Sequence, residues 1–189
     1  MKINEIRSIK VCDITLNECD DDKRLWNINW INLGDILTQN NGRCYFIVVD
    51  DDIFKIGYSD QKGGIKATIT SYMSSGNSGR PSDRTHGIHI LIAEQLLMGK
   101  KVEFYFSYND DIDFTIKLMN GEDKIIKQSL SGKTLEIENV RIFKERENKF
   151  PIWNLQEAGD SWPKYIQDSR IDLLNGNHAT LESIKKRVI

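Results

Sequence analysis

The sequence predicts a mixed α/β fold of the α+β type, with a small central antiparallel sheet flanked by helices. The clearest evidence is a tight β-hairpin between Arg43 and Tyr58, where two short apolar runs flank three aspartates at 50–52. A third strand is expected at 101–108, because Val, Phe, Phe and Tyr recur there at every second position. Apolar residues recur at helical spacing before and after this strand, which predicts the helices that flank the sheet.

The segment before the hairpin contributes an extended stretch at 8–16 and then an acidic loop. An aromatic-rich patch follows, in which Trp26, Ile28 and Trp30 alternate with asparagine. A short helix is expected at 33–38, and the Asn-Asn-Gly sequence before the hairpin ends it.

Two helices and a loop are expected after the hairpin. Apolar residues recur at helical spacing from Ile65 to Tyr72, which predicts a short helix over 65–73. The stretch 74–87 is rich in Ser, Gly, Asn, Pro and Arg and is expected to be a surface loop. An amphipathic helix over 87–98 follows, closed by a glycine and two lysines that suit a helix C-terminus.

The second half of the chain is expected to contain an inserted β-hairpin and two helices. Asn120-Gly121 is the strongest short hairpin signal, and it lies in an insertion at about 109–131. A helix is predicted over 135–148, and Pro151 prevents its continuation. The remainder is expected to be loop with a final helix at 181–187.

The length of 189 residues is typical of one compact domain. We divide it into an N-terminal extension (1–41), a core (42–156) and a C-terminal extension (157–189). No apolar run reaches the length of a membrane span, and no secretory signal is recognised, so no membrane association is expected. The three cysteines lack Cys-x-x-Cys spacing, which favours reduced thiols in the cytoplasm and argues against zinc.

The net charge of −2 argues weakly against nucleic acid as a partner. The negative charge is concentrated in predicted turns, at 20–22, 50–52 and 110–113. The region between Lys55 and Lys101 is basic by comparison. This separation is compatible with a DNA-facing surface but does not require one.

Three residues carry chemistry that can be judged from the sequence itself. Tyr45 and Lys55 are expected to share one face of the hairpin, where the ammonium would lower the pKa of the phenol. Most hairpins with one Tyr and one Lys have no such role. Glu136 lies on the same helical stripe as Val140 and Phe143, so its carboxylate points along the buried face; the ordinary interpretation is a helix-start acid favoured by the dipole.

The hairpin, the helix after it and the Glu136 helix resemble the GIY-YIG endonuclease superfamily, in particular its compact restriction-enzyme branch. Gly-Arg-Cys-Tyr-Phe at 42–46 stands at the first half of the signature. Lys-Ile-Gly at 55–57 stands at the second half, in the variant with lysine in place of tyrosine. Glu136 is followed by Pro-Ile-Trp-Asn at 151–154, which resembles the family pattern of an acidic residue on the last helix followed by Pro-x-x-Asn. The resemblance covers about 42–156, and the order and spacing of the short motifs carry it.

The resemblance implies phosphodiester hydrolysis, which needs an activated water, a metal ion and cations that balance the transition-state charge. By resemblance, Tyr45 is the general base or its proton relay, and Lys55 lowers the pKa of that group or positions the water. Glu136 is implied to hold one divalent ion per active site, Mg²⁺ or Mn²⁺.

One position departs from the family pattern. The family has an arginine on the helix after the second half of the signature, and Thr68 stands at its place without a charge. Three explanations stay open. Lys66 substitutes as a catalytic cation, although it leaves the helix on a different side; Arg80 or Arg84 reaches back from the loop; or the protein is an inactive relative that binds DNA. A substitute cation is the favoured explanation.

Polar residues of the predicted loops are expected to contact double-stranded DNA. The loop at 74–84 suits such contacts, and a mobile connector is an equal alternative. The Asn120-Gly121 hairpin either enters a groove of the DNA or only extends the sheet. The side-chain amides of Asn154 and Gln156 either contact the substrate or have a structural role in a loop. The expected DNA-binding residues are Lys66, Ser78, Arg80, Arg84, Asn120, Asn154 and Gln156.

Together these expectations describe a Mg²⁺-dependent endonuclease of double-stranded DNA, of the type II restriction class. Cleavage of both strands implies a homodimer, because one active site cuts one strand. The alternatives are a catalytically silent DNA-binding or regulatory protein on the same fold, and a homing, repair or anti-phage nuclease of the same superfamily.

Overall fold

The computed structural model describes residues 1–19, 24–39, 42–75, 80–107, 112–128 and 130–188. A five-stranded antiparallel sheet has the strand order β2-β1-β5-β3-β4, and a separate two-stranded sheet joins β6 to β7. Helices flank the larger sheet, so the predicted fold class is confirmed. The strands are β1 (Ile9–Leu16), β2 (Trp26–Trp30), β3 (Arg43–Val49), β4 (Asp52–Ser59), β5 (Val102–Ser107), β6 (Ile112–Lys117) and β7 (Asp123–Gln128).

Six α-helices are present among the described residues, with short 3₁₀ helices at Ile3–Glu5 and Gly34–Leu37. The α-helices are α1 (Gly64–Ser74), α2 (Asp83–Leu97), α3 (Gly132–Glu147), α4 (Leu155–Ala158), α5 (Lys164–Leu174) and α6 (Leu181–Val188).

Two predictions about the helices are wrong. The surface loop was expected to continue to Gly87, yet α2 begins at Asp83, because the Ser82 hydroxyl accepts a hydrogen bond from the Thr85 N–H at 3.2 Å. The segment between Pro151 and the final helix was expected to be loop, yet it contains α4 and α5. Helix α5 packs against α2 and buries Ile166 and Leu173, so tertiary packing stabilises a helix with weak sequence signals.

The hairpin of β3 and β4 is confirmed in detail. Asp50 and Asp51 form its turn with φ angles of 48° and 68°, a left-handed conformation that Asp tolerates better than most residues. Tyr45 pairs with Gly57 in the antiparallel register. A side chain at Gly57 would overlap the Tyr45 ring, so glycine leaves the space in which the phenol lies.

The hairpin is buried on both faces. Tyr45, Ile47 and Val49 face the larger part of the core, to which α1 and α2 contribute. The alternate residues of β3 face a second apolar cluster, which α3 covers with Leu135, Val140 and Phe143. Both faces are therefore fixed by packing, which holds the register of β3 and β4.

The start of α3 is held close to the start of β3. A side chain on Gly132 would collide with the backbone of Arg43 and with the Asp60 carboxylate, so glycine allows this approach. Asp60 accepts the Gly132 N–H at 2.9 Å, and the Ser131 hydroxyl accepts the Thr134 N–H at 3.1 Å. These contacts set the position of the first turn of α3, which carries Glu136.

Within the described part of the chain, no helix combines the length and the apolarity needed to cross a membrane. Cys12 and Cys44 are buried and reduced, and Cys44 packs as a small apolar residue as expected.

Candidate active site

A cavity of about 70 Å³ lies beside Gly57, where β3, β4, α1, α2 and α3 meet. Two of the predicted catalytic residues, Tyr45 and Glu136, line it although they are far apart in sequence. The remaining lining residues are polar or aromatic and also include a cation. The full set is Tyr45, Tyr58, Gln61, Thr68, Ser71, Tyr72, Arg84, Thr85 and Glu136.

Tyr45 is buried, and its hydroxyl forms a short hydrogen bond with the hydroxyl of Tyr72 from α1. Burial raises the pKa of Tyr45 well above 10, while the nearby Arg84 guanidinium acts in the opposite direction. Burial also raises the pKa of Tyr72. The expectation that a cation lowers the pKa of the Tyr45 phenol overall is therefore wrong, and both phenols are neutral near pH 7.

Sequence spacing assigned Tyr72 only to the core and missed its place in the site. The signal that could have found it is its position one helical turn after Thr68, on the side of α1 that faces the hairpin.

Lys55 lies on β4, on the same sheet face as Tyr45, and is only 2 % exposed. Burial lowers the pKa of Lys55 to about 8, although the Glu157 carboxylate acts to raise it. The charges of Arg84 and Glu136 also act on this amine. Lys55 therefore lies within electrostatic reach of the cavity without lining it.

Replacing Lys55 by methionine is expected to stabilise the fold at pH 7 by on the order of 1–3 kcal/mol, because a buried charge is removed. The folded-state pKa is about 8 and the ordinary value is 10.5. The charge therefore destabilises wild type fully below pH 8, and this penalty is lost as the pH rises from 8 to 10.5.

Urea unfolding of K55M and wild type at pH 7 and pH 10 measures this effect. The advantage of the variant should shrink at pH 10. Equal advantages at the two pH values, or a variant that is less stable at pH 7, would contradict the assignment.

Glu136 lies in the first turns of α3 and is 3 % exposed. Its Oε2 accepts a hydrogen bond from Lys133 Nζ at 2.6 Å, and this lysine side chain is 53 % exposed. Lys133 Nζ also lies 5.1 Å from the centre of the Tyr58 ring. A carboxylate at the cavity is thus paired with a cation that can swing into solvent.

Thr68 lines the cavity from α1, and its hydroxyl shares a hydrogen bond of 2.6 Å with the Ser59 hydroxyl. It supplies no charge. Arg84, the second residue of α2, lines the same cavity from the opposite helix. Its positive charge acts to lower the pKa values of Tyr45, Tyr72 and Lys55, which lie around the same space.

Lys66 does not reach this cavity. It is exposed on α1, and its Nζ lies 5.9 Å from the centre of the Trp30 ring. Lys66 is not among the residues that line the cavity, so its expected catalytic role gains no support there, and its expected contact with DNA remains a prediction.

Asn154 is fully buried and holds the edge strand β4. Its amide accepts the Ile56 N–H at 2.8 Å and donates to the Ile56 carbonyl oxygen at 2.8 Å. Among the described residues no strand pairs with β4 on that side, so these bonds satisfy backbone groups of Ile56 that the sheet leaves open. The expectation that Asn154 contacts DNA is therefore corrected, because its buried amide has a structural role at β4.

The other expected DNA contacts remain predictions. Asn120 lies in the exposed turn between β6 and β7, where its side chain bonds to Glu122. Arg80 and Gln156 are exposed, outside the set of residues that line the cavity. Ser78 lies outside the described residues.

No protein family profile matches the sequence, and no curated protein is significantly similar to it. Solved structures do match its fold. A variant of EndoII of bacteriophage T4 is 20 % identical, with a TM-score of 0.50, and the match covers 79 % of this chain and 93 % of EndoII. This likeness establishes a shared fold.

The restriction endonuclease HPY188I, solved in complex with product DNA, is 23 % identical, with a TM-score of 0.44. The match covers 80 % of this chain and 84 % of that enzyme. A TM-score below 0.5 is too low to support a conclusion about this chain.

Proposed function

We propose that this protein is a Mg²⁺-dependent endonuclease that hydrolyses phosphodiester bonds in double-stranded DNA. The observation that carries the proposal is a single cavity lined by a phenol pair, a guanidinium and a buried carboxylate, from Tyr45, Tyr72, Arg84 and Glu136. The resemblance to the GIY-YIG signature and the fold shared with EndoII are consistent with it.

Hydrolysis requires that a water oxygen attacks phosphorus, that a proton leaves this water, and that a bridging oxygen departs. Tyr45 is suited to orient the water and relay its proton. A neutral phenol must release its own proton as it accepts another, and its hydrogen bond to Tyr72 provides the first step of such a path. This favours the relay over a preformed phenolate base, because burial raises the pKa of Tyr45.

The residues at the cavity fit Mg²⁺. Glu136 provides one carboxylate, and the other residues that line the cavity include hydroxyl and amide groups, whose oxygens are the hard donors that Mg²⁺ prefers. When bound, Mg²⁺ would neutralise phosphate charge and assist the departure of the leaving oxygen.

Arg84 is the cation that we assign to the scissile phosphate. Its planar guanidinium can donate two parallel hydrogen bonds to phosphate oxygens as negative charge develops there. Lys55 would add positive charge beneath the site in its protonated form, which predominates at pH 7 because its pKa is about 8.

Contacts to duplex DNA would come from Arg80, Gln156 and the turn of the inserted hairpin, which are exposed. We assign the protein to cytoplasmic restriction enzymes of type II that cut both strands as a homodimer, since two equivalent sites suit palindromic DNA.

The proposal is tested by incubating the purified chain with supercoiled plasmid in Mg²⁺ or in a chelator, with sequencing of the cut ends. Cleavage in Mg²⁺ alone, at one short recurring sequence, is expected. Scattered ends would instead indicate a nuclease of looser specificity, and no cleavage across many substrates, including modified DNA, would overturn the assignment.

A catalytically silent DNA-binding protein is the second candidate, because Thr68 lacks the charge expected on α1. It predicts that the plasmid is retarded in a gel but stays supercoiled. Substitution of Glu136 would then leave DNA binding and plasmid form unchanged.

A further inference from the structure

The inserted hairpin presents apolar side chains to solvent. Phe114 and Ile116 of β6 are 39 % and 37 % exposed, and Ile126 lies beside Phe114 on the neighbouring strand. Among the described residues, neither outer edge of this two-stranded sheet pairs with another strand. An unpaired edge next to exposed apolar residues is a natural site for strand addition.

The hydrogen-bond pattern identifies which backbone groups of β6 face outward. The Leu118 N–H donates to the Glu122 carbonyl oxygen at 2.8 Å, so Leu118 points its backbone toward β7. Backbone direction alternates along an antiparallel strand. The N–H and C=O groups of Asp113, Thr115 and Lys117 therefore point away from β7, toward the free edge.

We propose that β6 pairs antiparallel with β6 of a second copy of this chain, about a two-fold axis at Thr115. The inference specifies the interface of the homodimer proposed above and does not depend on the nuclease chemistry. In this register Thr115 faces Thr115 of the second copy, and Asp113 faces Lys117 of the second copy. The result is a four-stranded sheet with outward backbone groups paired in both copies.

Side-chain complementarity supports this register. On one face Phe114 lies opposite Ile116 of the second copy, and the symmetric pair repeats this contact. On the other face both Asp113–Lys117 pairs join opposite charges. Aromatic–aliphatic and opposite-charge pairs are the favourable cross-strand combinations, and both occur twice because of the symmetry.

The outer edge of β7 is less suited to the same arrangement. A two-fold axis at Ile125 would place Lys124 opposite Ile126 of the second copy, which sets a charge against an apolar side chain. The hairpin also has three lysines and three acids between 112 and 128, so it carries no net charge. The absence of net charge, together with the exposed apolar side chains of β6, favours a protein partner over phosphate backbone at this edge, while the turn at Asn120 stays free for the proposed DNA contact.

Proline substitution at the two edges tests the proposal with a matched pair. The N–H groups of Thr115 and Ile125 both point away from the partner strand within the hairpin, so proline at either position leaves the intrachain ladder intact. T115P removes two N–H donors from the proposed interface and places a ring there, and I125P does neither. Sedimentation velocity of full-length wild type, T115P and I125P over a concentration series gives the dissociation constant of each homodimer.

Wild type and I125P are expected to dimerise equally, and T115P is expected to dimerise at least about tenfold more weakly. Amide exchange should show protection of Asp113, Thr115 and Lys117 that rises with protein concentration. Circular dichroism confirms that both variants fold. A monomeric wild type, a dimeric T115P, or a dimer that only I125P disrupts would overturn the interface, whereas plasmid cleavage reports separately on the nuclease.

Discussion

Replacing Glu136 by glutamine is expected to reduce DNA cleavage at least about 10³-fold while the protein stays folded. The carboxylate is the one acidic group among the residues that line the cavity, so its loss removes the charged ligand proposed for Mg²⁺. The fold should tolerate this change. The partner Lys133 has a half-exposed side chain, so it is not left as a buried unpaired charge.

Glu138→Gln is the matched control for E136Q. Glu138 lies two residues further along α3, is 54 % exposed and pairs with Arg141 on the surface. Calorimetry with Mg²⁺ or Mn²⁺ should show that E136Q weakens metal binding and that E138Q does not. Equal losses of cleavage in both variants, or unchanged metal binding in E136Q, would refute the assigned ligand.

The local elements of the site could be predicted from sequence because each follows from a short-range pattern. Two apolar runs around the aspartate turn gave the β3–β4 hairpin, with Tyr45 and Lys55 on one face. Helical periodicity gave α3 and placed Glu136 on its buried side. The hairpin and the helix are each determined by about ten neighbouring residues, through the turn residues and the periodicity of the apolar side chains.

The assembly of the site could not be predicted in the same way because it depends on contacts between distant segments. Arg84 seemed to belong to a loop, since the Ser82 cap that starts α2 is a weak signal among many serines. From the sequence, Asn154 was expected to contact the substrate. The structure shows instead that its amide pairs with the backbone N–H and C=O of Ile56 on the edge strand β4. The raised pKa of Tyr45 depends on its burial against Tyr72, a contact that forms only when the hairpin and α1 pack together.

Arg84→Ala is expected to lower the cleavage rate about 10²- to 10³-fold, the usual cost of removing one group that stabilises transition-state charge. Arg84 is the cation that lines the cavity from α2, and Thr68 supplies no charge from α1. Single-turnover kinetics at saturating enzyme separates this effect from weaker DNA binding. Lys66→Ala is the control, because it removes a cation from α1 that lies over Trp30; a loss in K66A equal to that in R84A would contradict the assignment.

Two independent ways of restoring a guanidinium to R84A test whether Arg84 acts in cleavage through its positive charge or by holding α2 in position. Added guanidinium should partly rescue R84A, since the cavity of about 70 Å³ can admit a small cation, and should not rescue E136Q. The double variant T68R/R84A returns an arginine from the α1 side, at the cost of the Thr68–Ser59 hydrogen bond. If neither route raises the rate of a folded R84A protein, Arg84 acts by holding α2 in place, and the transition-state charge must be balanced by another group.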